Sequence, residues 1–364
     1  VLDLKMPSEV AGIERASKEE TYAQIEKDLL EAIPDLPVRS AYSSKDLGRV
    51  TKGAAQGLLG KVYLYQEKYK EAEAQLKAVI DSKEYQLLDN FGDVWSMDHN
   101  NSKESLFEVQ TNSDISYSLG ERISVVVGSR DDSGWSWGLP TSNLEKAFED
   151  AGDSVRLKWT ILHDGQTSVP NDPTWTKDNP YVISPSKHKS ARCNMKLYIP
   201  VSKRPSPYDA PHIPLNYRLL RYADVLLMYA EVENALGKDA EARTALNEVR
   251  ARVKLSAVTS SGKQLRDAIR LERRLELALE DNRLYDLRRW KDDNGKPAID
   301  NIMGPNGSFV HYNLYESTDK YEKENKGESS DKGITFKEGR DELFPIPNSE
   351  IIMSNGSIKQ NPLY

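Results

Sequence analysis

The chain has 364 residues, 38% of them hydrophobic and 29% charged, and its 50 Lys and Arg against 57 Asp and Glu leave a net charge of −7. That balance argues against nucleic acid or an anionic lipid surface as the main partner, and no apolar run reaches the ~18–20 residues of a membrane-spanning helix. The single cysteine, Cys193, excludes an internal disulfide and cannot anchor a zinc site alone.

Ser17-Lys18-Glu19-Glu20 has the spacing of a capping box, and Tyr22, Ile25, Leu29 and Ile33 then recur on one helical face up to Pro34. Helices are predicted over 52–66 and 70–82, with so short a break that they pack as an antiparallel hairpin. Leu59, Gly60, Tyr63, Ala72, Leu76 and Val79 fall there at tetratricopeptide spacing. Gly60 and Ala72 are small where two helix axes cross closely. From 89 to 219 the chain changes character, broken by Pro, Gly, Asn, Asp and Ser, with extended runs expected at 105–110 and 124–128 and one helix at 142–150. The repeat spacing then returns at Ala230, Ala242, Leu246 and Val249, which predicts helices over 222–236 and 239–252 with Gly237 as the stop between them. A helix over 262–280 turns Leu265, Ile269, Leu275 and Leu279 to the core, and Glu272 falls on the same stripe. A carboxylate there must be paired, with Arg221, Arg283 and Arg289 the nearest candidates, and a structural ion-pair network is the reading preferred to catalysis. The stretch 292–364 is again loop-rich, and 316–331 is a polar run expected to be mobile.

Length alone suggests two or three domains. The repeats point instead to one superhelical scaffold with a long insertion, since isolated repeats are marginal without neighbours. The fold class is therefore mainly α, a tetratricopeptide-like helical scaffold, read as a single domain over 1–364. Within it 16–88 is helical with one hairpin, 89–219 is a large loop-rich insertion expected to bind the ligand, 220–291 is helical and 292–364 is a loop-rich C-terminal segment.

Five of the six tryptophans lie in the insertion, between Trp95 and Trp175. Trp135 and Trp137 are one residue apart in Gly134-Trp135-Ser136-Trp137-Gly138, and on an extended segment both rings project to one side. With Tyr117 nearby and Arg130 and Asp131 to bond hydroxyls, they suit the apolar face of a pyranose. The alternative for each ring is a core peg that pins a loop to the helices. Trp175 and Tyr181 are second-rank ligand candidates, and Trp290 is read as structural. No nucleophile elbow, H-E-x-x-H, P-loop, dinucleotide fingerprint or EF-hand loop is read, and the five histidines lack metal-ligand spacing. Asp131 and Asp132 are adjacent, so on an extended chain they point apart and do not make the facing pair of a glycoside hydrolase.

Three motifs carry a family resemblance. Arg221-Tyr222-Ala223-Asp224-Val225-Leu226-Leu227-Met228-Tyr229-Ala230-Glu231 resembles the R-Y-A-D-x-L-L-M-Y-A-E motif of the SusD/RagB family. Glu272-Arg273-Arg274-Leu275-Glu276-Leu277, then Glu280, Arg283 and Asp286-Leu287-Arg288-Arg289-Trp290, is similar to its E-R-R segment, and Leu343-Phe344-Pro345-Ile346-Pro347 with Gln360-Asn361-Pro362 to its C-terminal ending. Glu104-Ser105-Leu106-Phe107-Glu108-Val109-Gln110 and Pro140-Thr141 with Leu144, Ala147 and Phe148 are similar to weaker landmarks. Leu363 stands where the family has glycine, and Asp153-Ser154-Val155-Arg156 where it often has Asp-Pro-Arg.

The resemblance implies a surface-exposed lipoprotein of the Bacteroidota cell outer membrane that captures an oligo- or polysaccharide without chemistry or cofactor. It would deliver that glycan to a SusC-type TonB-dependent transporter. It also implies that the quoted motifs are scaffold, that variable loops hold the glycan, and that the front of the fold, with its N-terminal lipid anchor, is absent from this chain. Cys193 is mid-chain and is not that anchor. A protein-interaction scaffold without glycan binding is the alternative reading, and a glycoside hydrolase the third.

Overall fold

A computed structural model describes residues 14–304, 307 and 336–364, apart from Ile115, Pro185, Lys189, Pro207 and 209–211. The polar run 316–331 lies outside the described residues. Among the described residues two compact units form, one of 28–283 and one of 14–27, 284–304, 307 and 336–364.

Helix α1 (Lys18–Asp35) opens on the predicted capping box: Glu20 N–H donates to Ser17 Oγ at 3.0 Å, and Ser17 N–H donates back to the Glu20 carboxylate at 2.8 Å. Helices α2 (Lys52–Tyr65) and α3 (Tyr69–Ser82) make the first hairpin. Thr51 caps α2 by accepting the Ala54 N–H at 3.0 Å. Gly60 permits close approach, since a Cβ there would stand 2.6 Å from the Leu76 side chain. Leu59, Ala72, Leu76 and Val79 are fully buried in the seam.

Strand β1 (Ser105–Val109) occupies the predicted extended run. The run at 124–128 does not: Ile123–Val127 is a short helix, α4. The Glu121 carboxylate takes the N–H groups of Ile123 and of Ser124, the latter at 2.8 Å, and this local cap outweighs the strand preference of three valines. Helix α5 (Ser142–Asp150) matches its prediction, and α6 (Ser154–Thr160) forms in a stretch read as irregular, capped by Asp153 on the Arg156 N–H at 3.0 Å. Strands β2 (Ile161–His163) and β3 (Arg192–Asn194) pair antiparallel inside the insertion. Strand β4 (Tyr217–Arg221) pairs antiparallel with β1, placing Glu108 opposite Arg218 and Ser105 opposite Arg221.

Helices α7 (Tyr222–Ala235) and α8 (Asp239–Arg252) form the second hairpin, with Gly237 at φ +76° in the turn, and α9 (Gly262–Glu276) packs against α7. The main core lies between the two hairpins, where Ala230, Ala242, Leu246 and Val249 are fully buried.

The charged residues of the motifs lie inside this architecture. Arg221 bonds Glu104, Glu276 and Glu280 at 2.9, 2.6 and 2.7 Å. Arg156, from α6 in the insertion, reaches Glu272 at 2.7 Å and Glu276 at 3.0 Å, and so ties the insertion to α9. Glu272 is thus the structural network member expected, but its partners are Arg156 and, at 2.6 Å, Arg250 rather than Arg221, Arg283 and Arg289. Lys196 donates to Glu280 at 2.6 Å and lies 4.5 Å from the centroid of the Trp95 ring. Burial lowers the Lys196 ammonium to about 8 despite Glu280.

A second network joins α2, α7 and α9 through Asp224, which accepts from Lys61 at 3.2 Å and Arg273 at 2.9 Å. Burial alone would raise the Asp224 carboxyl, yet the two cations hold it down at about 2. A folded value below the unfolded 3.8 adds stability that is complete above pH 3.8 and fades as the pH falls towards 2, about 2 kcal/mol in all. Asp224→Asn should remove part of the wild type's loss of unfolding free energy between about pH 4 and about pH 2, read by urea titration. Equal acid slopes in both proteins would refute this role.

The second unit contains α10 (Arg283–Arg289), part of which lies in the first, together with α11 (Ala298–Met303) and α12 (Asn348–Met353). The C-terminal motif has a local function here. Gln360 brackets Ile346, accepting its N–H at 2.7 Å and donating to its carbonyl at 2.9 Å, while Asn361 donates to the Phe344 carbonyl at 2.7 Å. Trp290 is buried in this unit, in keeping with a structural role.

Candidate functional site

The loop after α4 folds back onto it. Four successive N–H groups are used: Gly134 donates to Ser129 O at 2.7 Å, Trp135 to Val125 O at 2.9 Å, Ser136 to Gly128 O at 2.8 Å and Trp137 to Val126 O at 2.9 Å. The two backbones meet so closely that a Cβ on Gly134 would fall 2.3 Å from Gly128. Ser136 adopts φ +58°, so the tryptophans do not sit on an extended segment and the argument that both rings share one side lapses. Both rings are nonetheless outside, Trp135 52% and Trp137 62% exposed, and Tyr117 is 61% exposed. No ring contact joins these three among the described residues.

The polar neighbours are placed differently from the expectation. Exposed Arg130 donates from Nε to the Trp135 carbonyl at 3.0 Å, bracing the loop beside the rings. Asp131 points inward. It accepts from Ser184 N at 2.6 Å, Ser184 Oγ at 3.1 Å and Lys187 Nζ at 2.5 Å, and stands 3.3 Å from His188 Nε2. Burial would raise this carboxyl, but Lys187 and the Ser184 donors hold it at about 2. Its oxygens are therefore committed to fixing the loop rather than directed at a ligand. Asp132 takes a bidentate pair from Arg204 at 2.6 Å for each bond. The adjacent carboxylates thus face different cations.

Tyr181 is corrected to a core residue at 2% exposure, where burial pushes its phenol upward. Trp175 is half-buried, set edge-on to Tyr181 at 4.9 Å between centroids, and donates from Nε1 to Tyr198 at 2.7 Å. This pair serves packing. Trp95 and Trp159 line a surface cleft of about 450 Å³, open mouth included, with Met97, Asn171, Tyr198 and Lys203. Trp159 is laid against Gly92 and Trp95 lies beside Lys196 and Arg221, so both rings are scaffold.

Nothing in the spacing of the five histidines marks His188. Its side chain is buried, with Nε2 3.1 Å from Ser129 Oγ and Nδ1 3.0 Å from Ser136 Oγ. Contrary to the expectation that no nucleophile elbow is present, Gly134-Trp135-Ser136-Trp137-Gly138 does have G-x-S-x-G spacing, and Ser136, His188 and Asp131 stand in series. Acyl transfer also needs free donors for an oxyanion. The N–H groups of Trp135, Ser136 and Trp137 are all bound to carbonyls of 125–128, that of Arg130 is bound to Ser136 Oγ at 3.0 Å, and His188 is sealed from solvent. The series is a clamp on the loop.

The SusD family profile matches residues 94–364. SusD-like protein P2 of Formosa agariphila is 26% identical over 384 residues, covering 98% of this chain and 67% of that protein. A SusD-like protein of Bacteroides ovatus is 28% identical over 295 residues, covering 75% of this chain and 51% of that one. Among solved structures, a laminarin binding SusD-like protein is 29% identical with a TM-score of 0.75, covering 99% of this chain and 72% of its own. A SusD-like protein of Bacteroides fragilis is 27% identical with a TM-score of 0.73, covering 97% and 72%. The chain therefore spans between half and two thirds of the curated relatives named here.

Proposed function

The chain belongs to the SusD family, and on that footing we propose that it binds an oligo- or polysaccharide without chemical turnover, at an aromatic platform on the Trp135–Trp137 loop. The observation that carries this reading is the pairing of two largely exposed indoles with a backbone whose successive N–H groups are all bound. Exposed indoles on a pre-ordered loop offer a large stacking face at small entropic cost on binding. Tyr117 and Arg130 are proposed to extend the platform, and Asp131 to support it from beneath. The laminarin binding relative supports laminarin as the first glycan to try. Surface display on the outer membrane through a lipid anchor, and delivery to a SusC-type transporter, complete the proposal from family membership.

The test is migration in native gels containing one polysaccharide each, laminarin among them. Retardation by at least one glycan, with no release of reducing ends, is expected. Migration unaffected by every glycan, together with capture of a protein partner, would favour an interaction scaffold instead.

A further inference from the structure

We infer that His188 is a positioning residue for the tryptophan loop, coupling the shape of the loop, and with it glycan capture, to its own protonation. The inference rests on the platform reading for its functional half only. The imidazole is held between Ser129 Oγ, Ser136 Oγ and Asp131, and Ser136 is the residue between the two indoles. The neutral ring with its proton on Nε2 satisfies this arrangement: Nε2–H donates to Ser129 and Asp131, and Nδ1 accepts the Ser136 hydroxyl. Ser136 Oγ in turn accepts the Arg130 N–H at 3.0 Å. These bonds hold Ser136 at φ +58°, a backbone shape unfavourable for serine on its own.

Protonation at Nδ1 removes the acceptor. The Ser136 hydroxyl must then turn to the Gly128 carbonyl, 3.4 Å away, while Nδ1–H donates to Ser136 Oγ, and the ring carries a charge sealed from solvent beside a carboxylate already shared with Lys187 and Ser184. The charged groups around the ring are Asp131, which favours the imidazolium, and Arg130 and Lys187, which oppose it. Burial is the largest influence, and His188 titrates below its ordinary 6.5. A folded value below the unfolded one means that the clamp is complete above pH 6.5 and is lost as the pH falls through the lower folded value. The platform is therefore ordered at neutral pH and loosened in acid.

The test uses two readouts on the intact chain, from about pH 7.5 to about pH 5. The first is acrylamide quenching of tryptophan emission without glycan, taken as the difference from Trp135→Phe/Trp137→Phe. The second is affinity for laminarin. Wild type is expected to show increased quenching in acid and an affinity at least about threefold weaker, whereas His188→Asn, whose amide does not titrate, gives flat profiles in both. Ser136→Ala, which removes the hydroxyl from an exposed loop, should also be flat and serves if His188→Asn does not fold. Quenching that ignores pH in wild type, or an acid response retained by both variants, overturns the inference. The predicted quenching without laminarin binding at any pH supports the clamp and counts against the glycan reading alone.

Discussion

Replacing Glu276 by glutamine is expected to lower the unfolding free energy by about 3–5 kcal/mol, enough to unfold a marginal chain. Glu276 is fully buried and bonds Arg221 at 2.6 Å, Arg156 at 3.0 Å and Arg252. Burial would raise its carboxyl, but the guanidiniums of Arg252, Arg221 and Arg156 hold it well below the ordinary range. Around it five cations (Arg156, Lys196, Arg221, Arg250 and Arg252) face five carboxylates (Asp153, Glu104, Glu272, Glu276 and Glu280). Glutamine keeps the shape and deletes one negative charge, which leaves a net positive charge with little access to water. The variant reports charge, where a large-to-small change would also open a cavity. Urea titration is the measurement, because urea does not screen ion pairs. A change within about 0.5 kcal/mol would show that the network adds nothing beyond filling space.

That network also shows how far the sequence could be read. The helical hairpins were legible because Gly60, Ala72, Ala230 and Ala242 recur at a spacing only close helix crossings need. Glu272 was legible as a buried carboxylate because it interrupts an apolar stripe. Its partners were not, since Arg156 comes from α6 in the insertion, and no periodicity links a loop-flanked helix to α9. The stretch 124–128 reads as extended because the signal that makes it helical is a carboxylate outside it, at Glu121.

Converting Trp135 and Trp137 together to alanine is expected to weaken glycan binding by at least about 2 kcal/mol, roughly thirtyfold, and to abolish retention in a laminarin gel. The thermal midpoint should hardly move, because both indoles are more than half exposed and these two residues hold the loop through their backbone rather than their rings. Tyr181→Ala should do the reverse, destabilising the insertion by about 3 kcal/mol, since that ring is core. A double variant that unfolds would show that the indoles are pegs. One that retains laminarin would move the site elsewhere.

The aromatic residues of the proposed site are visible in composition, whereas the clamp beneath the loop is not. Ser129 and Ser136 are 59 and 52 residues from His188, and nothing in the spacing of a histidine and two serines marks them as partners. Asp131 was identified as a site residue, but only the fold shows that its carboxylate faces Ser184, Lys187 and His188. Neighbouring rings gave no such information, because exposure depends on which carbonyls the loop backbone finds.

The most direct measurement is tryptophan emission while laminarin is titrated into the intact chain and into the Trp135→Ala/Trp137→Ala variant. The wild type should show a saturable change in emission that gives the same affinity as calorimetry, and the variant should show neither the change nor the heat. Saturable heat of equal affinity in both proteins, with emission unaltered, would contradict a glycan platform on this loop.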